Sequence, residues 1–141
     1  MSICAFNGSY RFLSNFWPAV VMLDGTDYPS VENAYVAAKT RDLAAREFIR
    51  NCTPGAAKKF GRTIKLRDDW DDVKLAIMAD LVWLKFQHAD LRELLLDTGS
   101  QELIEGNTWG DTFWGVCNGV GENHLGKILM NVRQRLMSGD Y

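Results

Sequence analysis

The chain has 141 residues, 47% of them hydrophobic and 24% charged, and a net charge of −2. That length and balance predict one folded domain with a real core and exclude an intrinsically disordered chain. The slight acidic excess excludes a global basic field, so nonspecific nucleic-acid binding is not its expected main work, although a local basic patch is compatible with it.

Cys4, Cys52 and Cys117 are an odd, scattered set. They predict no disulfide framework and a reducing, cytoplasmic setting. His88 and His124 stand in no metal-ligand spacing and Cys-x-x-Cys is missing, so no metal and no cofactor are expected. The first residues lack the pattern of a signal peptide. No apolar run approaches the ~20 residues of a membrane span, so no membrane partner is expected.

In chain order, Ile3 to Phe6 reads as a short strand and Asn7-Gly8-Ser9 as a turn. Val20 to Leu23, Asp24-Gly25 and Thr26 to Tyr28 read as a β-hairpin. Ser30 then caps a helix running to Lys39. Asp42 to Cys52 is a short helix, and Thr53-Pro54 starts another that ends near Gly61. Asp69 to Gln87 places Trp70, Val73, Ile77, Leu81 and Leu84 at helical spacing. Ala89 to Asp97 is a leucine-rich helix closed by Gly99. Glu102 to Glu105 reads as a strand, residues 106–122 as a glycine- and aromatic-rich loop, and Asn123 to Met137 as the last helix, with Leu125, Ile128, Leu129 and Val132 on its apolar face. The sum is an α+β fold: a mainly helical single domain, residues 1–141, with a small sheet or hairpin.

Three stretches carry chemistry. In the helix after Ser30, Val31, Ala34, Tyr35 and Ala38 form a core stripe. Glu32 and Lys39, seven apart, share a second stripe about 100° around and about 10 Å apart along the axis. A carboxylate and an amine at the edge of a buried face suit the wall of a pocket; they also suit two solvated charges. In the loop Asn107-Thr108-Trp109-Gly110-Asp111-Thr112-Phe113-Trp114-Gly115, glycines admit a close ligand and Trp109 and Trp114 offer faces to planar rings. Asp111 among those rings suits acid, base or electrostatic work, or an Asx turn. Near the start, Phe12, Phe16, Ser14 and Asn15 mix aromatic surface with hydrogen-bonding groups, as a nucleoside pocket or a packed N-terminus would.

The basic run from Lys58 to Arg67 suits a phosphate or a solvated helix end, with Arg62 and Arg67 the two candidate anion ligands. Gly121 to Lys127 fits the phosphate-loop spelling, but Ile128 stands where Ser or Thr must hold Mg²⁺, so that reading is rejected. The glycine-bearing helix start there still suits an anion.

Several segments match one family in order. Phe12-Leu13-Ser14-Asn15-Phe16, Leu23-Asp24-Gly25, Tyr28-Pro29-Ser30-Val31-Glu32, Tyr35, Ala37, Lys39, Ala57-Lys58, Gly61-Arg62, Arg67, Trp70 and Lys74 resemble the opening of the NADAR family of YbiA-like N-glycosidases. Thr98-Gly99, Leu103, Glu105, Asn107, Asp111, Trp114-Gly115, Gly121, Asn123, Leu125-Gly126 and Leu129-Met130 resemble its remainder. The resemblance implies hydrolysis of a ribose C1–N bond. Its implied substrates are phosphoribosylamino-pyrimidine intermediates of riboflavin synthesis, or ADP-ribose on the amino group of guanine in a nucleotide or nucleic acid.

By position it implies functional roles for Glu32, Trp70 and Asp111, with Lys39 also in the active site. Val36 departs from the glutamine many relatives carry before Ala37, so a polar substrate contact is expected to be missing there. Phe12, Ser14, Asn15, Phe16, Tyr35, Arg62, Trp70, Asn107, Trp109, Trp114, Gly115 and Asn123 are the expected substrate-binding set. Cleaving C1–N builds positive charge on the sugar, which a carboxylate stabilises while a second group handles a proton. A lysine amine offers another route, exchanging into a ring-opened imine as a Schiff base. The rival expectation is a module that binds ADP-ribose or a nucleotide without cleaving it.

Overall fold

Ser30 starts the helix on which the candidate site is built. In the computed structural model of the chain, which describes residues 1–139, its Oγ accepts from the main-chain N–H of Asn33 and α1 runs Val31–Ala38. The expected stripe of Val31, Ala34, Tyr35 and Ala38 is buried, but so are Asn33, Val36 and Ala37. α1 is therefore enclosed on nearly every side, and only Glu32 and the capping Lys39 are half-exposed.

The contacts divide the chain into two units. The first to be complete in sequence is Asn15–Lys85. It holds the antiparallel hairpin β2 (Val21–Leu23) and β3 (Thr26–Tyr28). α1 packs there against α2 (Leu43–Arg50), α3 (Pro54–Gly61), α4 (Trp70–Lys85) and β2. Asp42 caps α2 through its Oδ1, and Thr53 caps α3, whose first residue is Pro54. The buried face of α4 is rotated from the expected one: Trp70 and Leu81 are buried with Met78, Val82 and Lys85, while Leu84 is exposed. Lys85 keeps its long stem in the core, and burial pulls its amine down to about 7.

One side chain ties this unit together. Asn33 is fully buried. Its Nδ2 donates to the carbonyls of Ile49 and Cys52, each at 2.9 Å, and its Oδ1 accepts from Ser30 Oγ at 2.6 Å. The start of α1 is thereby pinned to the end of α2 and the turn after it.

The other unit joins Met1–Ser14 to the chain from Phe86 onward. β1 is only Ser2–Ile3, shorter than expected, and pairs in parallel with β4, Glu102–Leu103. Gly8–Leu13 is a 3₁₀ helix where a plain turn was expected, and it buries Phe12 and Leu13. α5 spans Ala89–Asp97 as expected, and α6 His124–Met137 with Asn123 before it. Residues 106–122 are not all loop: β5 (Gly106–Asn107) and β6 (Val116–Cys117) form a two-residue parallel pair. Such short ladders carry too little periodicity to be read from sequence. Among the described residues no helix is long and apolar enough to cross a membrane.

Candidate active site

In the unit Asn15–Lys85 the candidate groups gather on α1 and its neighbours. Glu32 lies in the first turn of α1 and Lys39 is its C-cap, so each charge complements the helix dipole at its own end. The carbonyl of Asn15 accepts from Glu32 N at 3.0 Å and takes up one of the donors a helix start leaves open. Asn15 Nδ2 lies 3.5 Å from Met78 Sδ.

Tyr35 and Trp70 are buried with ring centroids 5.1 Å apart and planes tilted by 55°. Lys39 Nζ stands 5.5 Å from the Tyr35 ring centroid. Burial holds the Lys39 amine below its ordinary value; the Glu32 carboxylate pulls it back up, and Arg62, Lys58 and Lys74 push it down again. These five side chains come from α1, α3, the cap of α3 and α4, so the helices converge four cations and one carboxylate. Phe16, partly exposed, lies under Lys58 with Nζ 5.8 Å from its centroid.

The turn before α4 closes this arrangement. Arg67 N donates to the carbonyl of Lys39 at 2.7 Å, and Trp70 N donates to the carbonyl of Arg67 at 3.1 Å. The Arg67 guanidinium makes a forked pair with Asp69, at 2.6 and 3.0 Å, which draws the Asp69 carboxyl below its ordinary value. Arg67, expected as an anion ligand, is thus committed to its own turn; Arg62 is exposed at the end of α3.

Val36, where many relatives carry glutamine, packs against Gly61. Its Cγ1 fills the space where a Cβ on Gly61 would stand, 2.8 Å away, and Lys39 Nζ lies 3.7 Å from that same point. Gly61→Ala adds helix propensity worth about 1 kcal/mol. The crowding it brings to a packed face costs about 1–3 kcal/mol and wins. The expected result is a lower urea midpoint together with a roughly tenfold or larger fall in turnover as Lys39 is displaced. Equal stability and turnover in the two proteins would show the contact to be slack.

In the other unit, Asp111 makes the Asx turn that the sequence allowed. Its Oδ1 accepts from Phe113 N and Trp114 N at 3.1 and 2.9 Å. Asn107 holds Asp111 by both main-chain groups, accepting from its N–H at 3.0 Å and donating to its carbonyl at 2.9 Å. Asn123, at φ 54°, accepts from Glu105 N and donates to the carbonyl of Leu103, so its amide serves the loop and strand. Trp114 packs edge-on to Phe113 at 4.8 Å. Trp109 is exposed and lines a cleft of about 590 Å³ with Cys4, Ile104, Asn107 and Val116. Phe12 is a core residue and Ser14 is half-buried after the 3₁₀ helix.

Gly115 admits protein, not ligand, since a Cβ there would overlap Glu105. The two glycines of the rejected phosphate loop are packing positions too, Gly121 against the carbonyl of Gly115 and Gly126 against that of Leu103. Glu105, half-buried, had no role from spacing alone, because only the folded loop brings its carboxylate to Asn107. Lys58 and Lys74, which the sequence offered only in a basic run and in the family resemblance, are electrostatic neighbours of Lys39. Among the described residues no three His, Cys, Asp or Glu side chains group as a metal would need.

Residues 5–137 match the NADAR domain family model. The N-glycosidase Npun_R5314 of Nostoc punctiforme is 44% identical over 135 residues, covering 90% of this chain and 86% of that protein. The N-glycosidase YbiA of Escherichia coli K12 is 40% identical over 134 residues, covering 90% of this chain and 82% of that one. The Vibrio vulnificus riboflavin biosynthesis protein VVA0006 is 38% identical over 133 residues, 91% of this chain and 36% of that longer protein. The NMR structure of E. coli YbiA superposes with a TM-score of 0.84 at 36% identity, covering 99% of this chain and 85% of that one.

Proposed function

This chain belongs to the NADAR family and, with its N-glycosidase relatives, to the hydrolases of N-glycosyl bonds, and we propose that it cleaves the ribose C1–N bond of a phosphorylated or ADP-ribosylated aminoriboside. One observation carries the reading. The Lys39 amine is half-buried, held below its ordinary basicity, and placed among the Glu32 carboxylate, the Tyr35 ring and three further cations.

Water adds across the bond, its hydroxyl going to C1 and its proton to the leaving nitrogen. The sugar passes through an oxocarbenium-like state, and the Glu32 carboxylate stabilises that charge. A neutral Lys39 amine is competent to attack C1 of the ring-opened imine, expel the amine, and form a Schiff base that water then hydrolyses. In the other unit, Asp111 is the carboxylate the family resemblance singles out, and an acid or base role is proposed for it on that ground. Trp70 and Tyr35, packed together beside Lys39, offer aromatic surface to the leaving base. Arg62, with Lys58 and Lys74, takes phosphoryl oxygens. The riboflavin-related name of one relative favours a phosphoribosylamino-pyrimidine; the same three cations serve equally the diphosphate of ADP-ribose on guanine.

Incubating the enzyme with each of those two substrates and separating the products by chromatography tests the reading. Free ribose phosphate or free ADP-ribose is the expected result. Binding of either ligand with no product would make the chain a reader instead. Borohydride added during turnover is expected to leave a sugar adduct on Lys39. Turnover without any trapped adduct would favour direct attack by water.

A further inference from the structure

Gly115 is buried against a carboxylate. A Cβ there would overlap Glu105 Oε2 and the carbonyl of Glu105, and would stand 2.7 Å from Asn107 Nδ2. The missing side chain lets the Glu105 carboxylate fold onto the Trp114-Gly115 backbone. There Oε2 accepts from Asn107 Nδ2 at 3.0 Å. The same Nδ2 donates to the Asp111 carbonyl, and Asn107 Oδ1 accepts from Asp111 N.

An amide nitrogen has two hydrogens; the Asp111 carbonyl and Glu105 Oε2 are its short acceptors, and the Glu105 carbonyl, at 3.5 Å, is a third and weaker one. A carboxylate only accepts, so it selects the amide orientation that also fits Asp111 and opposes the flipped one. Glu105 is itself fixed by its main chain, its N–H bonded to Asn123 Oδ1 and its carbonyl to Val116 N at 2.8 Å. Asp111 Oδ1 in turn holds the 113–114 backbone. The chain of bonds therefore runs from Glu105 through Asn107 to the backbone that aims the Asp111 carboxylate.

We propose that Glu105 is a positioning residue for Asp111, acting through the side-chain amide of Asn107. The proposal rests on the reading of Asp111 as a working residue of the glycosidase.

Glu105→Gln keeps the shape and removes the charge: its amide either turns NH₂ toward Asn107 Nδ2 or accepts through a neutral oxygen, and in both cases the charge-assisted bond is lost. Steady-state kcat and KM are to be measured for E105Q, E105D, D111N and the E105Q/D111N double variant. E105Q should lower kcat by about tenfold to a hundredfold, the usual result of misplacing a reacting group by about 1 Å, with KM within about threefold of wild type. E105D, which keeps the charge, should recover part of the loss. In the D111N background E105Q should add less than about twofold, because it has no working carboxylate left to aim.

Independently of activity, the Asp111 amide resonance should shift in E105Q, since its N–H is bonded to Asn107 Oδ1. Wild-type turnover in D111N would end the reading of Asp111. Impaired D111N beside an unimpaired E105Q, an E105Q loss repeated in full in the D111N background, or an unmoved Asp111 resonance would each overturn the positioning role.

Discussion

Glu32→Gln is expected to lower turnover by about 10²–10⁴-fold, the range for loss of a positioned acid, base or electrostatic group. Its neighbours sharpen the expectation. The Glu32 carboxylate is the one charge that raises the Lys39 amine against burial and against Arg62, Lys58 and Lys74. A neutral glutamine removes that support, so Lys39 loses its proton at a lower pH than before. If the neutral amine attacks, rate in the wild type rises with pH through the lowered Lys39 pKa, and in E32Q the same limb moves to still lower pH.

Two readouts thus follow from one substitution: less turnover, and residual activity that survives further into acid. A pH profile of kcat measures both. Wild-type turnover, or a limb moved toward alkali, would contradict the placement of Glu32 beside Lys39. Glutamine matches glutamate in size, and in the half-exposed first turn of α1 the lost dipole interaction costs about 0.3–1 kcal/mol. A urea melt of E32Q beside the wild type separates any loss of stability from the loss of chemistry.

Asn33→Ala should give the largest loss of stability. Its buried amide serves Ile49 O and Ser30 Oγ in the core and Cys52 O at the half-buried turn after α2. Alanine leaves two carbonyls and a hydroxyl without that partner. Each stranded buried group costs about 1–3 kcal/mol, and water entering the vacated space recovers a part, so the net loss is about 3 kcal/mol. A urea melt should show the midpoint fall with the slope unchanged. A loss below about 1 kcal/mol would mean the carbonyls find other donors.

The sequence spoke most clearly where a local rule fixes an element. Ser30, Asp42 and Thr53-Pro54 mark three helix starts, and all three act as caps. Asp24-Gly25 turns the hairpin, both with positive φ. What stayed hidden depends on partners distant in the chain. β1 is a strand only because residues 102–103 lie beside it. The face of α4 turned inward was misread because Lys85 is buried where a charge is expected outside.

At the site, the paired stripes of α1 were legible from spacing, and Lys39 and Glu32 are electrostatic neighbours. The duties of Asn107 and Asn123, and the meeting of Glu105 with Gly115, were not, because an amide's partners are set by the closed loop. Asp111 belongs to the unit that contains that loop, and Glu32 to the other.

The two units also differ in how they can be born. Asn15–Lys85 is one uninterrupted stretch, whereas its companion is assembled from both flanks, Ser2–Ile3 waiting for Glu102–Leu103. On a ribosome the lysine-bearing helices have their whole complement of residues once Lys85 has emerged, and nucleation there needs nothing made later. β1 cannot close its parallel ladder with β4 until the chain has been made through Leu103, so that loop closure, the slower and entropically costlier step, comes last.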